Sequence, residues 1–127
     1  MIKAICVDDE KLSRNTLKKL LEIYCPDVEV IAESDNVASA TIQVMQLQPE
    51  LVFLDVAMPG KNGIDFLKEL DDIKFEVIFV TAHDKYILQA IRLAAVDYLQ
   101  KPVDGQQLIT AVSNAAKRII QKSANYQ

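Results

Sequence analysis

Leu51-Val52-Phe53-Leu54-Asp55-Val56-Ala57-Met58-Pro59-Gly60-Lys61-Asn62-Gly63 is the stretch on which the fold turns. Four apolar residues rich in strand formers run into a single carboxylate, and a proline and two glycines follow. An apolar run bounded by turn residues suits a strand buried on both faces, as in a parallel sheet. Asp55 then stands where the strand ends and its loop begins. In open α/β sheets, ligands bind beyond the carboxyl ends of the strands. A carboxylate at that place is a reactive group, a metal ligand or a cap for the next helix.

The flanking sequence repeats the pattern. Ile2–Val7 reads as a first strand that stops at Asp8-Asp9-Glu10, and Val28–Ala32 as a second. Val77–Val80 is the fourth, ending at Thr81-Ala82-His83-Asp84, and Val96–Leu99 a short fifth that runs into Lys101-Pro102. Helical spacing fills the gaps. Leu17, Leu20, Leu21 and Tyr24 fall at i, i+3, i+4 and i+7, and Asn36 precedes Val37, Ala40 and Val44 as a cap. Phe66, Leu67 and Leu70 mark a third inward face, and Ile87, Ala90, Ile91 and Ala94 a fourth. The last helix opens on a capping-box pattern, Asp104 to Gln107, and turns Leu108, Ala111, Val112, Ala115 and Ile119 inward. Five strands alternating with five helices predict an α/β fold, a flavodoxin-like (βα)5 three-layer sandwich. The expected order of its five-stranded parallel sheet is 2-1-3-4-5.

With 127 residues, half of them apolar, the chain suffices for one domain with its own core. The net charge of -4 argues against direct nucleic-acid binding by this domain, which needs clustered Lys and Arg. No run approaches the roughly 20 apolar residues of a membrane span, and the N-terminus reads as a strand rather than a signal peptide. A cytoplasmic location follows as the expectation, with Cys6 and Cys25 reduced. Gln121–Gln127 is polar and without period, so the domain is expected over residues 1–121, with 122–127 a tail or the start of a linker.

In a parallel sheet the residues after the strands share one edge. Asp8, Asp9, Asp55, Thr81 and Lys101 would therefore converge there, as three carboxylates, one hydroxyl and one ammonium. Crowded carboxylates repel unless a cation sits among them, and hard oxygen donors suit Mg²⁺. These are parts for phosphoryl transfer: a carboxylate nucleophile, a metal and donors for the equatorial oxygens.

At this point the chain resembles a known family. Asp8-Asp9, Asp55-x-x-Met58-Pro59-x-x-x-Gly63, Thr81-Ala82 and Lys101-Pro102, in that order, are similar to the motifs of receiver domains of bacterial two-component response regulators. Val80 to Tyr86 and Ala95 to Leu99 look most like the LytR/AlgR class, whose receivers usually precede a LytTR-type DNA-binding domain. The resemblance implies that Asp55 accepts a phosphoryl group from a sensor histidine kinase. It implies Mg²⁺ bound directly by Asp9 and Asp55, by Asp8 mostly through water, and by the Ala57 backbone carbonyl. Thr81 and Lys101 would contact the phosphoryl oxygens, and Tyr98 would be the switch aromatic. The Lys101-Pro102 bond is cis in this family. The switched face, formed by the fourth helix, fifth strand and fifth helix, would form a homodimer or dock an output domain absent from this chain. Ala57 and His83 flank the approach of water and leave the phosphoryl lifetime open.

Three other classes compete. A Mg²⁺-dependent phosphatase with an Asp nucleophile usually has a second acid two residues on, where Ala57 stands. A flavin-binding flavodoxin-like protein would need a Ser/Thr/Gly-rich loop where Asp8-Asp9-Glu10 stands. An unphosphorylated receiver-like interaction module would not need the full set of Asp9, Asp55, Thr81 and Lys101. The expectation is a signalling domain rather than an enzyme with a separate substrate.

Overall fold

Five strands and five helices alternate along the chain in the order β1 (Ile2–Val7), α1 (Lys11–Tyr24), β2 (Val28–Ser34), α2 (Val37–Leu47), β3 (Leu51–Leu54), α3 (Gly63–Glu69), β4 (Glu76–Thr81), α4 (Ile87–Arg92), β5 (Asp97–Gln100) and α5 (Gly105–Asn125). The computed structural model describes residues 1–83 and 85–125. Asp84, in the segment after β4, and residues 126–127 of the expected tail lie outside them. The strands form one parallel sheet in the order β2-β1-β3-β4-β5, as the sequence predicts. The register between β1 and β2 shifts once: Ala4 pairs with Val30 and Ile5 with Ala32, leaving Ile31 as an extra residue on β2.

Alternation along each strand divides the core into two layers. Ile5, Val7, Val52, Leu54, Val77 and Phe79 meet α2, α3 and α4 on one face. Ala4, Cys6, Phe53, Ile78, Val80 and Leu99 meet α1 and α5 on the other. Both β3 and β4 are buried throughout, which is why they read as continuous apolar runs. Burying a side chain such as Phe53 or Phe79 contributes about 1.5–3 kcal/mol each.

The structure departs from the expected helices and strands in four places. In α4 only Ala90 is buried, whereas Ile87 and Ile91 lie exposed. Ala94 stands beyond the helix at φ 59°. Six residues make under two turns, too short for the four expected positions to share an inward face. Tyr24 at the end of α1 is also exposed rather than inward. The fifth strand is displaced by one residue, Asp97–Gln100 in place of Val96–Leu99. Finally, α5 continues to Asn125, four residues beyond the expected limit of the domain at residue 121. Lys122, in that extension, pairs at 3.4 Å with Glu76 at the start of β4.

Among the described residues, three helix starts carry side-chain caps. Asn36 caps α2 as expected, accepting from the Ser39 amide at 2.8 Å. Asp104 caps α5 through the Gln107 amide. The reciprocal box was expected there, but it is found at α3, where Asn62 accepts from the Asp65 amide and Asp65 from the Asn62 amide. Among the described residues, no helix is long and apolar enough to cross a membrane.

Candidate functional site

Parallel pairing puts the C-terminal ends of β1, β3, β4 and β5 on one edge, so Asp8, Asp55, Thr81 and Lys101 gather from across the sequence. Backbone bonds continue the sheet into the loops: the Asp55 amide donates to the Val7 carbonyl at 2.9 Å, and the Lys101 amide to the Thr81 carbonyl at 2.8 Å. Each functional side chain therefore starts from a rigid strand end.

Carboxylate oxygens of Asp8, Asp9 and Asp55 lie within 4.8 Å of one another. Asp8 and Asp55 are buried and Asp9 is exposed. Lys101 compensates the charge from the far strand, its Nζ 2.7 Å from Asp8 Oδ2 and 3.0 Å from Asp55 Oδ2. Burial works against the ammonium's charge, but the hydrogen bonds and charges of Asp8 and Asp55 outweigh it. The net effect holds its pKa above the ordinary 10.5. Three oxygen donors with one open, solvent-facing member are the donor set of a hard divalent cation that keeps part of its water.

The remaining groups are fixed by local bonds. Asp55 Oδ1 accepts from the Ala57 amide at 3.2 Å and Asp8 Oδ1 from the Glu10 amide at 2.9 Å. Thr81 is fully buried, and its Oγ1 accepts from the His83 amide at 3.3 Å. Thr81 joins Lys101 through the backbone and its hydroxyl serves the β4–α4 loop. Tyr98 packs its ring against Phe79 with centroids 5.8 Å apart, and its hydroxyl donates to the His83 carbonyl. The side chain of His83 is exposed, and its backbone makes these contacts. The Lys101–Pro102 peptide is cis.

Gly63 closes the loop after Asp55. Its amide donates to the Val56 carbonyl at 2.9 Å. A Cβ there would stand 2.4 Å from the Asp55 carbonyl oxygen and 3.0 Å from Leu54 Cγ. Only glycine lets the start of α3 lie against the backbone of the central carboxylate.

Sequence reasoning missed Ser13 and Arg14. Ser13 Oγ lies 3.3 Å from Lys101 Nζ. Arg14 donates to the Asp8 carbonyl at 2.6 Å and, through Nε, to Glu33 Oε1 at 3.0 Å. Neither residue carries a local sequence signal, because Ser13 reaches Lys101 across 88 positions and Arg14 reaches Glu33 across 19. Cys6 and Cys25 are free and buried, and burial first, then the Glu33 charge, pushes the Cys6 thiol up to about 12. It is no nucleophile.

Glu33 gives a pH test of this buttress. Its hydrogen bond from Lys18 at 2.6 Å, opposed by partial burial and helped by Arg14, lowers its pKa from 4.5. The folded value lies below the unfolded one, so the stabilisation is present above pH 4.5 and fades as the pH falls through the depressed value. Glu33→Gln should lower stability at neutral pH and flatten the acid limb of the stability curve, read by urea titration at several pH values. Parallel acid limbs in both proteins would contradict this.

The response regulator receiver domain family matches residues 4–113. The chain belongs to the response regulator receiver family. A response regulatory protein of Vibrio cholerae serotype O1 is 40% identical to this receiver over 119 residues, 93% of this chain and 50% of the relative. The sensory transduction protein LytT of Bacillus subtilis (strain 168) is 41% identical over 110 residues, 85% of this chain and 45% of the relative. The receiver thus spans about half the length of these curated relatives. Among solved structures, the REC domain of AraT, a response regulator from Geobacillus stearothermophilus, matches with TM-score 0.85 and 27% identity over 96% of this chain and 98% of that one. The response regulatory domain of protein mrkE from Klebsiella pneumoniae shares the fold, with TM-score 0.85 and 22% identity over 94% of this chain and 99% of that one.

Proposed function

We propose that this receiver works in the cytoplasm, accepts a phosphoryl group on Asp55 from the phosphohistidine of a sensor histidine kinase, and passes the signal to an output half beyond the receiver. The observation that carries the reading is the buried Asp55 carboxylate, set among Asp8, Asp9 and the Lys101 ammonium at the strand ends. An Asp55 oxygen attacks phosphorus and a P–O bond forms. The P–N bond to the donor imidazole breaks, its electron pair returns to the nitrogen, and the freed imidazole takes a proton from solvent. Lys101 holds charge beside the transferring oxygens and Thr81 supplies a hydroxyl donor. Asp9 and Asp55, with the Ala57 carbonyl, would hold Mg²⁺, which supplies positive charge to the phosphoryl oxygens when bound. Asp8 acts mostly through water in this reading, as the resemblance implies.

Phosphorylation replaces one carboxylate charge with a group of greater charge and more acceptors. Thr81 then leaves its loop bond, Tyr98 gives up the His83 carbonyl, and the face of α4, β5 and α5 repacks. Ile87, Leu88 and Ile91, exposed on α4, offer that face an apolar surface for a homodimer. The LytT relatives, sensory transduction proteins of which this receiver spans about half, support an output half, and the LytR/AlgR resemblance gives that half control of transcription. Intact mass after incubation with a small acyl phosphate and Mg²⁺ tests the acceptor. Wild type should gain one phosphoryl group only with Mg²⁺, and Asp55→Asn should gain none. No gain in folded wild type would return the chain to the class of unphosphorylated interaction modules.

A further inference from the structure

Lys101 does not rest on carboxylates alone. An ammonium has three donors, and here they meet Asp8 Oδ2 at 2.7 Å, Asp55 Oδ2 at 3.0 Å and Ser13 Oγ at 3.3 Å. Two of these acceptors belong to the cluster that would also hold a divalent cation, so ammonium and metal draw on the same residues and repel each other. Ser13 is the neutral acceptor outside that cluster. Its position is well fixed on the first turn of α1. The chain just before it is tied by the Glu10 amide to Asp8 Oδ1, and the next residue, Arg14, clamps the Asp8 carbonyl to Glu33.

We propose that Ser13 is a positioning residue for Lys101, its hydroxyl keeping the ammonium beside Asp55 when a divalent cation occupies the carboxylates. The inference rests on the phosphoacceptor reading of Asp55 and deepens it. Without the Ser13 oxygen, the ammonium holds its place against a metal less well. The metal then binds more tightly because its rival is weaker, while phosphoryl transfer slows because Lys101 is displaced from the transferring oxygens. Damage to the fold would weaken both.

The test compares wild type, Ser13→Ala and Ser13→Thr, each shown to be folded by its thermal transition. Threonine keeps the hydroxyl, and Ser13 lines a small cavity with Asp8, Asp55 and Leu17. Mg²⁺ binding is measured by calorimetry without donor, and phosphorylation by intact mass against time at saturating Mg²⁺. Ser13→Ala should bind Mg²⁺ at least about twofold more tightly and be phosphorylated about three- to tenfold more slowly, the range one net hydrogen bond gives. Ser13→Thr should stay close to wild type in both. An alanine variant unchanged in both, weakened in both, or not matched by recovery in the threonine variant overturns the proposal. If wild type binds Mg²⁺ but takes no phosphoryl group, the Asp55 reading fails separately. The metal arm then decides: tighter binding by Ser13→Ala supports the restraint on Lys101, and unchanged binding overturns it.

Discussion

Gly63→Ala should destabilise the receiver by about 3 kcal/mol and remove most phosphorylation of Asp55. The new Cβ would meet the Asp55 carbonyl oxygen at 2.4 Å, a backbone atom with no rotamer through which to yield. Leu54 Cγ at 3.0 Å closes the other direction. Relief requires α3 to move out or the Asp55 backbone to shift, and the second moves the carboxylate away from Lys101. The Asn62–Asp65 box and the Gly63 amide bond to Val56 resist the first. The change touches no side chain of the site, so loss of acceptor activity would come through backbone placement alone. Urea unfolding and the intact-mass assay check both halves. A variant as stable and as reactive as wild type would show that the loop has slack the geometry denies.

Lys101→Met carries the second large effect, and its sign depends on metal. In chelator, the buried Asp8 and Asp55 carboxylates face each other without their cation. Removing one partner of such a group typically costs about 3–5 kcal/mol, with the lower end expected here because Asp9 opens the cluster to water. Mg²⁺ should restore much of that loss, because it binds the folded cluster and replaces the missing charge. The rise in melting temperature on adding Mg²⁺ should therefore be clearly larger for Lys101→Met than for wild type. Equal rises in both would mean that Lys101 does not balance the cluster.

The strands were legible because β3 and β4 are buried on both faces, so hydrophobic runs alone mark them. The site was legible for the same reason: its residues follow those runs, and parallel pairing brings them to one edge. Helix faces were less so. In α4, Ile87 and Ile91 have the spacing of a core stripe, yet the helix is too short to press both against the sheet. Apolar periodicity shows that residues share a face but not which way that face points. Ser13 escaped notice because a serine in a first helical turn usually serves the backbone. Its partner lies 88 positions away, a distance only the fold reveals. The expected cap at Asp104 forms through the Gln107 amide, and the box at α3, where Asn62 and Asp65 satisfy both reciprocal bonds, went unread.

The outer strands guard the sheet against lengthening. An exposed strand rim is a template on which other chains add, the first step toward fibrous aggregates, and natural proteins blunt it with bulges, charges and short strands. β2 carries the extra residue Ile31 together with Glu29 and Glu33, and β5 has only four residues, of which Asp97 and Gln100 are polar. Neither rim offers a long, flat, apolar ladder to a neighbour. The rims of this sheet therefore disfavour irreversible β-stacking between copies of the domain.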